Sequence, residues 1–246
     1  MTRDFRKTGI WLLEAVIWLC MSQAVVSAQD INVAVIDSGA RGYVDSAVSF
    51  TSYPANSDPL NHGTEIAKLI RQGNPTVKIH MLQVCEKKNG TLRPSRSAIL
   101  QAIKWCIEHE INIVNMSLVT KYDKDIEDAI TNAATSHGIL FIAAAGNKTL
   151  ASRFAADADG YVRKISTDIK PAFPASNKDV IAVGGLEPNG KIAAYSDKTC
   201  DVYANGRIFG QEGSSFACAR ITSKAAQLLS YHPAAAKEAI LSYLKE

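Results

Sequence analysis

The sequence predicts an α/β domain built on a mainly parallel β-sheet with helices on both faces. Two observations predict the architecture. From residue 31 onward, short apolar runs rich in β-branched residues alternate with helical patterns, which is how strands joined by crossover helices look in sequence. No linker, tandem repeat or low-complexity tract interrupts that alternation, so one domain is expected. A third observation supports a packed core: 47% of the 246 residues are hydrophobic and 21% charged, an ordinary globular balance.

The elements follow in order. Ile31-Asn32-Val33-Ala34-Val35-Ile36 reads as a strand ending at Asp37-Ser38-Gly39. His62 to Arg71 is a helix with Ile66, Leu69 and Ile70 on one face. Val77 to Val84 is the next strand, and Ser95 to Glu110 a helix with Ile99, Ala102, Ile103 and Cys106 at helical spacing. In that pattern Trp105 reads as core. Ile111 to Met116 is a strand, and Asp123 to Ser136 a helix whose acidic first turn suits the positive end of its dipole. Ile139 to Ala144 and Val180 to Val183 are further strands, the latter stopped by Gly184-Gly185. Ser215 to Ser230 and Pro233 to Lys245 close the chain as helices, with Pro233 at a tolerated early position.

Composition narrows the function classes. The net charge is +3 and the basic residues are scattered. The densest group, Lys87, Lys88, Arg93 and Arg96, reads as a solvated loop. No nucleic-acid partner is expected. Five cysteines, Cys20, Cys85, Cys106, Cys200 and Cys218, are an odd number without metal spacing, which fits reduced thiols that pack as small hydrophobes. His80, His109, His137 and His232 show no paired spacing either. Asp157-Ala158-Asp159-Gly160 opens like a calcium loop but lacks the later ligands, so Asp157 and Asp159 are a weak metal candidate and no cofactor is expected.

Residues 1–28 have two readings. As a signal peptide, Arg3, Arg6 and Lys7 precede an apolar run from Ile10 to Met21, with cleavage after Ala28. As a docked helix, the run packs on the domain with Glu14 on its wet edge. A transmembrane helix needs about 20 apolar residues, so no membrane span is expected. Residues 29–246 form the remaining domain.

Four segments could supply acyl-transfer chemistry. A serine hydroxyl needs a base to take its proton, the base needs an orienting group, and the oxyanion needs donors. Val35-Ile36-Asp37-Ser38-Gly39 offers a carboxylate at a strand end, and Asn61-His62-Gly63-Thr64 a histidine opening a helix. Ala144-Ala145-Gly146-Asn147 offers an amide on a turn, and Gly213-Ser214-Ser215-Phe216-Ala217 a serine at a helix start. Singly, each is an ordinary turn or cap residue. The ordered set carries the inference. The order Asp, His, Asn, Ser resembles the subtilisin-like serine peptidases over about residues 31–231. Asn115-Met116-Ser117-Leu118, Phe173-Pro174-Ala175, Ala194-Tyr195-Ser196 and Asp201-Val202-Tyr203-Ala204 add to the resemblance.

The resemblance implies a subtilisin-like fold and a serine endopeptidase. Ser215 would be the nucleophile, His62 the general base and Asp37 the orienting carboxylate. Asn147 would donate to the oxyanion together with the Ser215 N–H. A peptide or protein substrate would lie between Ser117-Leu118 and Ala144-Ala145-Gly146. Val119-Thr120 stands where the family usually has glycines, which alters the cleft, and Lys148 to Lys170 would form a loop over the site. No segment corresponds to a folding prodomain, which favours a cytoplasmic enzyme over a secreted one and, with the small size, suits a dedicated leader-removing peptidase; a monomer is expected. A non-catalytic peptide-binding relic would be free to lose any of the four residues. An α/β-hydrolase would need a Gly-x-Ser-x-Gly elbow, which Ser215 lacks.

Overall fold

A computed structural model describes residues 28–88, 91–148, 154–156, 162–164 and 171–246. A seven-stranded sheet runs in the order β11-β10-β7-β6-β1-β3-β2. Its strands are β1 (Asn32–Asp37), β2 (Ser46–Ser49), β3 (Lys78–Gln83), β6 (Ile113–Met116), β7 (Leu140–Ala144), β10 (Val180–Leu186) and β11 (Val202–Asn205). Every pairing in it is parallel, with β1 central between β3 and β6. Antiparallel hairpins lie outside the sheet: β4 (Cys85–Lys88) with β5 (Thr91–Pro94), β8 (Phe154–Ala156) with β9 (Val162–Lys164), and β12 (Arg207–Ile208) with β13 (Gln211–Glu212).

Both faces of the sheet are covered because its strands are apolar on both. Along β1, Val33 and Val35 enter one core and Ala34 and Ile36 the other, the period of two that a strand imposes. Helices α1 (His62–Gly73), α4 (Ser214–Tyr231) and α5 (Lys237–Lys245) pack on the first face, α2 (Arg96–Glu108) and α3 (Lys124–His137) on the second. Ile66 and Ile70 of α1 are fully buried, each worth about 1.5–3 kcal/mol relative to exposure. Helix α3 is capped by Asp123, whose carboxylate accepts from the N–H groups of Asp125 and Ile126, and ends at Gly138 in a left-handed conformation. Among the described residues no helix is long and apolar enough to cross a membrane.

Several expectations need correction. Gly184-Gly185 does not stop β10, which runs through both to Leu186. The glycines are there because neighbours fill the side-chain space: a Cβ would meet the Tyr203 ring at 2.5 Å from Gly184 and the Tyr195 hydroxyl at 2.3 Å from Gly185. Pro233 lies in a turn, and the last helix begins only at Lys237, after Ala236 in an extended conformation. Lys87 and Lys88 belong to a hairpin strand rather than a loop. Trp105 is half-buried and stacks on His109 at a centroid distance of 3.8 Å, so it stands at the rim of the core. Cys85, Cys106, Cys200 and Cys218 are free thiols. Burial pushes the Cys85 thiol up to about 12, and its neighbours Asp37 and Asp58 push the same way. The N-terminal segment to residue 27, with Cys20 and Glu14, lies outside the described residues, as do Asp157, Asp159 and most of the stretch from Lys148 to Lys170.

Candidate active site

The interior strand β1 ends in Asp37, 3% exposed, at the carboxyl edge of the sheet. The connection from β1 leads to β2 and β3 on one side, whereas β6, β7 and β10 extend the other side, so this edge carries a topological switch point. Helix α1 opens with His62 over that edge. His62 Nδ1 lies 2.8 Å from Asp37 Oδ1 and 3.0 Å from Oδ2. A carboxylate only accepts, so the proton is on Nδ1 and Nε2 is left as the basic nitrogen. The Asp37 charge raises the imidazole pKa above its ordinary value. Burial opposes that shift, and the Asp37 hydrogen bond and the Asp58 charge reinforce it.

Asp58 is a second buried carboxylate, 2% exposed, that sequence reasoning missed. Its Oδ2 accepts from the Thr64 N–H at 2.8 Å and the Thr64 hydroxyl at 2.6 Å, satisfying a donor in the first turn of α1. Its Oδ1 lies 2.8 Å from the Ser38 hydroxyl, which is also 3.1 Å from Asp37 Oδ1. One hydroxyl proton therefore bridges two carboxylates. The Gly63 N–H donates to the same Ser38 oxygen at 3.3 Å. The signal available in sequence was an aspartate shortly before a helix start, which is too common to single out.

Ser215 lies in the first turn of α4, behind Gly213 as N-cap. Its N–H belongs to the orphan donors of a helix start. A buried polar network fixes this turn to the end of β6. The Asn115 amide donates to Ser117 Oγ at 3.1 Å and accepts from the Thr222 hydroxyl at 2.9 Å and the Cys218 thiol at 3.2 Å. Ser117 Oγ in turn donates to the Ser215 carbonyl at 3.0 Å. The Ser215 hydroxyl donates to the Ser117 carbonyl at 3.1 Å. Among the described residues His62 Nε2 makes no hydrogen bond, and the Ser215 hydroxyl points its proton at the Ser117 carbonyl in this conformation.

Asn147 follows β7 on an exposed turn. Its Oδ1 accepts from the Ser214 N–H at 2.8 Å and the Ser214 hydroxyl at 3.0 Å. Because a main-chain N–H can only donate, that contact settles which amide atom is oxygen and leaves Nδ2 as the donor of the amide. Nδ2 lies 2.8 Å from where a Cβ on Gly213 would stand, beside the start of α4.

Asp37, His62, Ser215 and Asn147 thus converge on one edge of the sheet. Ser117 and Leu118 leave β6 next to Ala144, Ala145 and Gly146 leaving β7, since Met116 pairs with Ala143. Val119, 46% exposed, reaches into the same gap: a Cβ on Gly146 would lie 3.5 Å from Val119 Cγ1 and from Ala172 Cβ. Among the described residues no group of three or more His, Cys, Asp or Glu side chains is placed to hold a metal ion.

Comparison with known proteins gives the family of the chain. Residues 27–246 match the subtilase family. The minor extracellular protease Epr of Bacillus subtilis is 29% identical over 203 residues, covering 76% of this chain and 28% of that protein. Subtilisin E of Bacillus subtilis is 27% identical over 235 residues, covering 84% of this chain and 57% of that protein. The chain therefore spans a little over half of one relative's length and under a third of the other's. A crystal structure of a lanthipeptide protease superposes with a TM-score of 0.67 at 20% identity, covering 91% of this chain and 81% of that one, which shows a shared fold. The chain belongs to the subtilase family.

Proposed function

We propose that the protein is a serine endopeptidase in which Ser215 attacks the scissile carbonyl. The observation that carries the reading is the Asp37–His62 pair, which leaves a basic Nε2 at the sheet edge where Ser215 and the Asn147 amide also lie. Rotation of the Ser215 hydroxyl from the Ser117 carbonyl toward Nε2 starts the reaction; catalytic hydrogen bonds of this kind tighten when substrate binds. As Oγ bonds to the carbonyl carbon, its proton passes to His62 and Asp37 stabilises the imidazolium. The oxyanion accepts from Asn147 Nδ2 and the Ser215 N–H. The C–N bond then breaks, and His62 returns the proton to the leaving amine. Water, deprotonated by His62, then bonds to the acyl carbon, the Oγ–C bond breaks, and His62 returns the proton to Ser215 Oγ as the acid product leaves.

The substrate would lie extended between Ser117-Leu118 and Ala144 to Gly146, with main-chain hydrogen bonds giving most of the affinity. Val119 favours a narrower second reading, a peptidase dedicated to one peptide leader, because its side chain restricts that cleft. A mixed peptide library read by mass spectrometry tests both. Cleavage by the parent and none by Ser215→Ala is expected, with Val119→Gly broadening the set of cleaved peptides. Equal cleavage by parent and Ser215→Ala would overturn the first reading, and an unchanged set with Val119→Gly the second.

A further inference from the structure

We propose that Lys148 is a positioning residue for Asn147, acting through a buried ion pair with Asp197; the inference rests on the serine-peptidase reading. The turn after β7 is held at two points. Before the asparagine, the Ala145 N–H donates to Val183 O at 2.9 Å, and the Ala145 carbonyl accepts from the Ala172 N–H at 3.0 Å. After it, the Lys148 N–H donates to Tyr195 O at 2.8 Å. Gly146 and Asn147 span the gap, so the second anchor sets the main chain from which the Asn147 amide, held at Oδ1 by Ser214, projects.

That anchor is reinforced by a side chain. Lys148 Nζ pairs with Asp197 Oδ2, with 14% of the lysine side chain exposed and none of the aspartate. The other aspartate oxygen accepts from the Thr199 N–H at 2.7 Å and the Thr199 hydroxyl at 2.6 Å. Burial pushes the Asp197 carboxyl up, but the bonds from Lys148 and Thr199 outweigh it and hold the group below the usual carboxylate range. The carboxylate is thus charged and fixed from its own loop, and Lys148 is the cation that pairs with it among the described residues. Lys148 is tied twice to the segment Tyr195–Asp197, once by main chain and once by charge. That segment also reaches the loop that leads into Ser215. The buried Tyr195 hydroxyl lies 2.1 Å from where a Cβ on Gly206 would stand, and the Gly213 N–H, beside Ser214, donates to the Gly206 carbonyl at 2.9 Å. One segment that touches no reacting atom therefore braces both loops that carry oxyanion donors.

The test uses the rate at which a fluorophosphonate probe modifies Ser215, because the phosphoryl oxygen occupies the oxyanion position. Lys148→Met should slow the reaction on the order of tenfold, as small misplacements of a catalytic group do. Lys148→Arg should restore most of the rate. In an Asn147→Ala background Lys148→Met should cost little more, since the group it positions is gone. Lys148→Met leaves Asp197 buried and unpaired, so the paired variant Lys148→Met/Asp197→Leu, which removes both charges, secures a folded comparison. Parent-like rates in both variants, or full slowing on top of Asn147→Ala, would overturn the inference. A folded parent that the probe does not modify overturns the peptidase reading and the inference with it, and that outcome is visible before any variant is made.

Discussion

The charge on Asp37 does two things to His62: it fixes the proton on Nδ1 and raises the pKa of the ring. A general base works only when neutral. With the folded pKa above the ordinary 6.5, the fraction of basic His62 falls as pH drops through that raised value. The acid limb of kcat/KM should therefore have its midpoint above pH 6.5. Asp37→Asn removes the largest cause and should lower both the midpoint and the rate, the rate by about 10⁴-fold where the wrong tautomer results. Asp58→Asn should move the midpoint down by less, as its charge is the last-ranked cause. A midpoint at or below 6.5 in the parent contradicts the electrostatic account. At this scale the sequence announced Asp37, His62, Asn147 and Ser215 only as an ordered set. Asp58 stayed hidden, and Ser38 and Asn115 stood in quoted segments without a role, because their roles exist only across the fold: Asn115 meets Thr222 over a separation of 107 residues.

Between elements, the approach of α1 to the turn after β1 sets the Asp37–His62 distance. Gly63 is what permits it, since a Cβ there would stand 2.2 Å from the Gly39 carbonyl oxygen, a rigid main-chain atom. Gly63→Ala should destabilise the fold by about 1–3 kcal/mol, the usual cost of overpacking. It should also reduce activity, by moving His62 off Asp37. Urea unfolding midpoints measured beside activity would check this, and a variant as stable and active as the parent would show that the approach is loose. Elements built from β-branched runs or a clear apolar helical face, such as β1, β3 and α1, were readable locally. Others were not. β2 is a short, half-buried edge strand of small residues, Ser46-Ala47-Val48-Ser49, which carries no period. β10 continues through two glycines only because Tyr195 and Tyr203, distant in sequence, occupy the space beside them.

For the whole molecule, the parallel sheet explains why residues so far apart in the chain form one site. Three of its adjacent strands, β1, β6 and β7, deliver Asp37, Ser117 and Asn147 to one edge, and α4 brings Ser215 up from beneath them. That layout was legible from the alternation of runs and helices together with the family resemblance. The cleft was legible only in part, because Val119 could be noted in sequence but its reach toward Gly146 could not. The central claim is that the serine at the start of α4 is a nucleophile activated by the pair on β1 and α1. The most direct measurement is peptide mapping of the folded protein after reaction with a fluorophosphonate: Ser215 Oγ bonds to phosphorus, fluoride leaves and the proton passes to His62. A single adduct on Ser215, lost in His62→Ala, is the predicted result. No adduct, or an adduct on another residue with Ser215 unmodified, would contradict it.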